Sequence, residues 1–271
     1  MFIYLSCFII IYLYLFFIIS LFLFIPFFIK IPSFPWFFWL PELHCEVNIS
    51  ISLFSAAFLL KLGIYGILRF IYNMMFLWLN FCICFILIIS LLGSFVVLGC
   101  LIKCMDLKKI IGYSSIIHLS FNLMVILILN NIALLSGILT SLSHGWCSSG
   151  LFLICGILIN KSYSRYLECW YMVDGMVLVL LGLLVLCNLS FPGSMNFMSE
   201  CLSLVCIVNM DMFVYLVFII YLFLLVYYYL VCFSRMIPLI GGMSGGGDVM
   251  GGWVWYGVVI LGCWGICGVM I

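Results

Sequence analysis

Five ionisable side chains lie within or beside long apolar runs of the sequence: Lys30, Lys61, His118, His144 and Glu200. A charge at the centre of a bilayer costs about 2.5–3.5 kcal/mol on insertion scales, so each such residue needs a reason to be there. A lysine or a glutamate removed from water shifts towards its neutral form, and an imidazole already titrates near neutral pH. All five can therefore hold and release a proton. A row of such groups is what a proton wire requires.

Three of these residues lie near the middle of their apolar runs. Lys61 is ten positions into its run, which places it roughly 15 Å deep, at the membrane midplane. A lysine at that depth cannot reach the interface as one near a helix end does. His118 and His144 are central in two later runs, and serines flank His144. The three runs are Ile51–Phe70, Leu107–Leu129 and Ile132–Ile159.

The other two residues lie beside proline-containing interruptions. Lys30 is followed by Pro32 and Pro35, and Glu200 follows Pro192-Gly193. Proline breaks a helix, and a broken helix exposes backbone groups that protein or water must satisfy. In transporters such breaks lie at ion sites near the midplane. An ordinary loop between two helices is the alternative at Pro192-Gly193.

Simpler explanations exist for the individual residues. One intramembrane histidine is often only a hydrogen-bonded contact between helices. A lysine could form a structural ion pair with Glu200. His118 and His144 could ligate a haem, although membrane cytochromes with two haems carry two histidines on each of two helices and this chain has 3 in all. Five groups, one per segment, favour proton conduction over these readings.

The composition requires a membrane protein. Of the 271 residues, 69% are hydrophobic and 6% charged, whereas soluble domains have about 25% charged residues. A soluble, secreted or nucleic-acid-binding protein is therefore excluded, and the net charge of +1 excludes a polybasic surface. Long unbroken apolar runs predict helices rather than a β-barrel. We expect an all-α polytopic bundle of about eight or nine membrane segments.

The whole chain, 1–271, is predicted to be one transmembrane domain. Gly241–Gly252 is expected to form a glycine-rich loop, and Trp253–Ile271 a terminal helix. Further crossings are predicted over Met74–Leu101, Val173–Leu189, Met195–Asn209 and Met212–Ile237. The first run, Met1–Ile29, is too long for a signal peptide and carries no targeting pattern, as expected of an organelle-encoded or a bacterial inner-membrane protein.

No motif for a metal or a cofactor is present. The 15 cysteines lie mostly inside apolar runs, without paired CxxC motifs or GxGxxG, so we expect no zinc, cluster, haem, flavin or nicotinamide in this chain.

The cationic residues of the loops fall on one side of the membrane if crossings alternate, and the positive-inside rule places that side in the matrix or cytoplasm. They are Lys103, Lys108, Lys109, Lys161 and Arg165.

Five motifs, in order and spacing, resemble chain 4 of respiratory complex I, an antiporter-like, proton-pumping membrane subunit of NADH:ubiquinone oxidoreductase. WLPELHCE at Trp39–Glu46 resembles the family's WLPxAHxEAP, and Leu59–Arg69 its LLKLGxYGxxR. Asp106–His118 resembles DLKxxIAYSSxxH. Ser143–Phe152 is similar to SHGxxSSxLF, and Pro192–Glu200 to PPxxNFxGE. The resemblance extends over about 30–235.

The resemblance implies a bundle with two broken helices and a central hydrophilic axis. Lys30 would be the broken-helix lysine, which pairs with a glutamate on an earlier helix. Lys61, His118 and His144 would connect the pathway, and Glu200 would be the exit-side glutamate. Four further residues are expected to support it: His44, Glu46, Ser143 and Ser148.

The chain also departs from this family. Members are much longer, and only apolar sequence precedes Lys30, so the early glutamate is not found. Glu42 and Glu46 are poor substitutes because they lie in the polar segment Pro41–Asn48. We expect either a separate chain that supplies the missing helices or an incomplete half-channel. Other membrane-arm subunits and lipids are the expected partners, and nucleic acid is not.

The sequence therefore predicts a proton-translocating subunit of complex I in the mitochondrial inner membrane. Electron transfer from NADH to ubiquinone would take place in other subunits. Two alternatives stay open: a subunit of a multisubunit sodium/proton antiporter, and a structural scaffold of the membrane arm without an active pathway.

Overall fold

The computed structural model describes residues 15, 22, 25–74, 79–166, 175–208, 212, 215–221, 223 and 227, some of them, chiefly in 70–87, by backbone alone. In these ranges the regular secondary structure is helical. An isolated antiparallel β-bridge pairs Asp106 with Tyr166. The all-α prediction is confirmed. Most of Met1–Ile29, the glycine-rich 241–252 and the predicted terminal helix 253–271 lie outside the described residues.

The described part of the chain contains a succession of α-helices. They are α1 (Trp39–Glu46), α2 (Ile49–Phe54), α3 (Leu60–Met74), α4 (Leu79–Lys103), α5 (Leu107–Ile126), α6 (Asn131–Ser162), α7 (Gly175–Asn188) and α8 (Met195–Val208). A 3₁₀ turn at Trp36–Phe38 leads into α1. A π-helical turn at Ser55–Leu59 joins α2 to α3. Three spans are long and apolar enough to cross a membrane, Ile49–Arg69, α5 and α6, as the apolar runs predict.

Helix α6 is the centre of the bundle. At 32 residues it is the longest described helix, and it packs against α2, α3, α5, α7 and α8. Helix α5 lies between α1, α4 and α6, and nearly all of its side chains are buried. In lipid, helices associate by close packing and hydrogen bonds rather than by the hydrophobic effect, which favours small residues at their contacts. The glycines and serines of α6 meet that requirement.

The first predicted interruption separates a helical stretch over 25–30 from α1. Pro32 has no N–H for the Phe28 carbonyl, and the Ser33 hydroxyl donates to that carbonyl instead, at 3.1 Å. The Ser33 amide turns to Ile31, and the Trp39 indole N–H donates to the Ile29 carbonyl at 3.1 Å. Side chains therefore replace the donors that the break removes, as an apolar environment requires.

The second interruption lies between α7 and α8, where Ser190 and Gly193 have φ of 57° and 100°. The Phe191 amide bonds the Leu186 carbonyl and not the Cys187 carbonyl, its ordinary helical partner. The Asn196 side-chain amide donates to the Cys187 carbonyl at 3.2 Å. The prediction of two proline-interrupted helices is thus confirmed.

The polar segment Pro41–Asn48 is helical through Glu46 and belongs to α1. Two cations bind the carbonyls at its C-terminal end: Lys108 donates to Val47 at 3.3 Å and Arg165 to Cys45 at 3.0 Å. Cations are favourable at a helix C-terminus because the helix dipole is negative there. These contacts bring the ends of α1 and α6 and the start of α5 to one end of the bundle. We call it the cationic end: Lys103, Lys108, Lys109, Lys161 and Arg165.

We predict that Gly112→Leu destabilises the bundle. A Cβ at Gly112 would lie 3.2 Å from Pro41 Cα, so α1 must move away from α5, and overpacking of this kind costs about 1–3 kcal/mol. Gly99→Leu on α4 is the matched control, because a Cβ there meets nothing within 4 Å. Thermal unfolding in detergent measures both. Equal midpoints for the two variants would contradict the α1–α5 contact.

Candidate functional site

His118 and His144 meet at the contact between α5 and α6. Their ring centroids are 4.7 Å apart and the rings are inclined by 30°, and both side chains are buried. His118 lies about 12 Å along its helix from the nearer end, Ile126, and His144 about 20 Å from the nearer end of its own, Asn131, so both lie well inside the membrane-spanning part. The two imidazole rings are in direct contact with each other.

Asn188, the last residue of α7, holds both imidazoles. Its side-chain Oδ1 lies 3.1 Å from His144 Nδ1, and its backbone is hydrogen-bonded to His118. The carbonyl of residue 188 would ordinarily accept from the amide of residue 192. Residue 192 is proline and has no N–H. The Asn188 backbone instead bonds a histidine on another helix, His118.

Lys61 lies next to this pair, across α6. A Cβ on Gly145 would be 3.1 Å from Lys61 Cε and 3.5 Å from Nζ, so the glycine beside His144 makes room for the lysine. Lys61 Nζ donates to the Ala56 carbonyl in the π-helical turn. A π turn inside an α-helix often occurs at a functional site.

Glu200 is reached through the second helix break. Its Oε1 accepts a hydrogen bond from the Ser190 hydroxyl, two residues after Asn188. Lys61, His118 and His144 thus lie together, and Glu200 contacts Ser190, which is two residues from Asn188 along the chain. We call this set the polar row: Lys61, His144, His118, Asn188, Ser190 and Glu200.

Lys30 stands apart from the polar row. It is exposed at the end of the 25–30 stretch, and a Cβ on Gly63 of α3 would be 3.4 Å from Lys30 Cβ. The lysine therefore lies against the helix that carries Lys61, with its side chain on the outside of the described bundle.

The four residues predicted to support the site have different environments. His44 is completely buried, 4.5 Å from the Phe152 ring between centroids, whereas Glu46 is exposed at the cationic end. Ser143 donates to Asn196 Oδ1 on α8. Ser148 donates to the Gly145 carbonyl of its own helix. Their roles remain predictions.

The ion-pair alternative for Lys61 finds no support in the described residues. Among the described residues, a salt bridge joins Lys109 to Asp106 at 3.9 Å. Lys61 instead donates to a backbone carbonyl, and Glu200 accepts from a serine hydroxyl. Within the same ranges, no group of three or more His, Cys, Asp or Glu side chains could hold a metal ion.

A family profile described as "NADH:quinone oxidoreductase/Mrp antiporter, TM" matches residues 6–225. The chain belongs to this family. The match includes every residue of the polar row, so the predicted family is confirmed on the part of the chain that carries the site.

Relatives and a solved structure agree with the family. NADH-ubiquinone oxidoreductase chain 4 of Acanthamoeba castellanii is 34% identical over 70% of this chain and 39% of its own length. The Chondrus crispus protein of that name is 38% identical over 66% of this chain and 37% of its own. A chain of respiratory complex I from Thermus thermophilus has the same fold, with a TM-score of 0.69 at 19% identity over 91% of this chain and 54% of that one. The chain therefore spans about two fifths of the length of these curated relatives.

Sequence reasoning missed Asn188, Ser190 and Asn196, which bind four of the predicted residues. A signal for Asn188 does exist, since it precedes Pro192 by four positions, the spacing at which proline removes a helical donor. The π-helical turn under Lys61 has no comparable signal in the sequence.

We predict that Ser143 and Asn196 are energetically coupled. If the hydrogen bond between α6 and α8 stabilises the fold, the Ser143→Ala/Asn196→Ala double variant loses less stability than the two single variants summed, by about 0.6 kcal/mol or more. Ser141→Ala is the control partner, since Ser141 donates within its own helix to Ile138. Additive losses for Ser143 and Asn196 in thermal unfolding would refute the contact.

Proposed function

We propose that this chain is a proton-translocating membrane subunit of mitochondrial respiratory complex I, of the chain 4 type. The observation that carries the proposal is the buried contact of His118 with His144, with Lys61 beside it. Ionisable groups are costly at this depth. Two of them in contact, supplied with acceptors by a broken helix, are better explained by proton transfer than by packing.

The polar row suggests how a proton moves. With Asn188 Oδ1 as its acceptor, His144 carries its proton on Nδ1, and Nε2 is buried without a hydrogen-bond partner among the described residues. That nitrogen is a proton acceptor on the row. A charge on Lys61 opposes protonation of the imidazoles and its loss favours it, so changes at Lys61 are felt at the histidine pair. Ser190 and Glu200 continue the row towards the exit.

We propose no redox cofactor in this chain. NADH oxidation and quinone reduction would take place in other subunits and reach the polar row as an electrostatic or conformational change. The chain would be a multi-pass protein of the mitochondrial inner membrane, with the cationic end towards the matrix under the positive-inside rule.

A partner is needed at the side of α3 and α6. A cavity of about 1000 Å³ opens between them, lined mostly by apolar side chains and by Lys61. Trp146 is 78% exposed and Leu62 57% exposed beside it. Lys30 is exposed elsewhere along α3, against Gly63. We propose that helices of a separate polypeptide of the membrane arm cover this side and place a carboxylate against Lys30.

A sodium/proton antiporter subunit is the second candidate, because the family description includes the Mrp antiporters. Transport that requires sodium and runs without NADH oxidation would favour it.

We expect Lys61→Met to lower the number of protons pumped per NADH oxidised in sealed membrane vesicles, because the charge beside the histidine pair is lost. Lys103→Met is the matched control, since Lys103 is exposed at the cationic end. Its pumping ratio should equal that of the native complex. An unchanged ratio for Lys61→Met in an assembled complex would favour the scaffold.

A density map of the assembled complex tests the partner. We expect a carboxylate from another chain within about 4 Å of Lys30 Nζ, the distance of a salt bridge. Only lipid at that position would show that this half of the pathway has no acidic partner.

A further inference from the structure

Asn122 is a buried polar residue that the polar row does not use. Its side chain is on α5, one turn beyond His118, and is 1% exposed. Neither its Nδ2 nor its Oδ1 has a hydrogen-bond partner among the described residues. A buried polar group that stays unsatisfied costs about 1–3 kcal/mol. A leucine of similar size would avoid this cost, so packing alone does not account for the asparagine.

Asn122 faces α6 on the side of the histidine pair away from the cationic end. A Cβ on Gly137 would lie 3.0 Å from Asn122 Oδ1, so the amide reaches the surface of α6. Asn122 is four residues before Ile126, the end of α5, or about 6 Å from that end. It therefore lies between His118 and the membrane face opposite the cationic end.

Helix α6 supplies a second polar wall. Ser136, Thr140 and His144 recur every four residues on one face of that helix, and all three are buried. The two hydroxyls donate to Ala133 and Gly137 of their own helix, which leaves lone pairs on their oxygens as acceptors. His144 Nε2 is unpartnered in the described part of the chain as well. Donor and acceptor positions on both helices are what bound water needs, since a buried water makes about three hydrogen bonds.

We propose that water bound between α5 and α6 at Asn122 forms a second branch of the proton pathway, from the histidine pair towards the membrane face opposite the cationic end. The inference rests on the proposed function. A proton passes from an imidazolium N–H to the first water, and that water gives one of its own protons to the next. One proton is moved, the imidazole is left neutral, and Asn122 keeps its amide unchanged and holds the water in place. Asn122 is thus a positioning residue.

Apolar side chains close the branch between Asn122 and the membrane face. A Cβ on Gly137 would lie 2.7 Å from Ile126 Cγ1, and Ile126 and Ala133 are buried between Asn122 and the helix ends. An apolar constriction conducts only when it is wetted. The closure would keep the branch shut unless α5 and α6 separate by the width of a water.

The variants Asn122→Leu and Asn122→Ser distinguish bound water from packing. Leucine fills the site and excludes water, so we expect the pumping ratio in sealed vesicles to fall by about two- to tenfold, the equivalent of one hydrogen bond, without loss of thermal stability. Serine leaves space and a hydroxyl, so it should keep more pumping than leucine although it packs less well. If Asn122 serves only in packing, the leucine variant should keep more pumping than the serine variant. Asn160→Leu, at an exposed site near the cationic end, is the control.

Native pumping in an assembled Asn122→Leu complex would overturn the branch. If that variant does not assemble, Thr140→Val, which removes a hydroxyl from the opposite wall, decides: a lowered ratio supports the branch and a native ratio overturns it. Lys61→Met is measured in parallel. If Lys61→Met lowers pumping and the variants at 122 and 140 do not, the branch is wrong and the proposed function stands. If none lowers pumping, the proposed function itself is wrong.

Discussion

The geometry of the site depends on one missing backbone donor. Helix α7 ends at Asn188, the backbone turns at Ser190, and Pro192 has no N–H, so the carbonyl of Asn188 has no helical donor at membrane depth. His118 supplies the hydrogen bond, and the side chain of the same asparagine reaches His144. One residue at a broken helix end therefore bonds two imidazoles on two other helices, and these imidazoles are in contact with each other.

That contact requires α6 to accept close neighbours on several sides. Gly145 allows Lys61 to lie across the helix beside His144, and Gly137 receives Asn122 and Ile126 from α5. In lipid the association of helices depends on such close approach. The small residues of α6 thus serve stability and chemistry together: the surface that lets the bundle pack also brings the ionisable groups of α3 and α5 to His144. A Cβ at either glycine would crowd these neighbouring side chains.

The sequence predicts well how deep a residue lies in the membrane, but it predicts poorly which neighbour each side of a helix faces. Helix ends follow from the lengths of apolar runs, so the central positions of Lys61, His118 and His144 and the two proline breaks could be inferred. A helix that is apolar nearly all round gives no periodic signal for which side faces a neighbour. For that reason the bridge formed by Asn188 and the exposed position of Lys30 came only from the structure. The π-helical turn at Ser55–Leu59 and the helix over Trp39–Glu46 depend on backbone hydrogen bonds that composition does not determine.

The polar residues of the bundle fall into two classes, and the difference is physical. Most buried serines donate to a carbonyl three residues earlier in their own helix, as Ser114, Ser115 and Ser199 do. Such hydroxyls are satisfied in lipid without any neighbour and are compatible with simple packing. Within the described helices, His44, Asn122 and His144 instead keep buried nitrogen or oxygen atoms without a hydrogen-bond partner. The locally satisfied serines need no neighbour, whereas the unsatisfied atoms of these three side chains are open to a further hydrogen-bond partner.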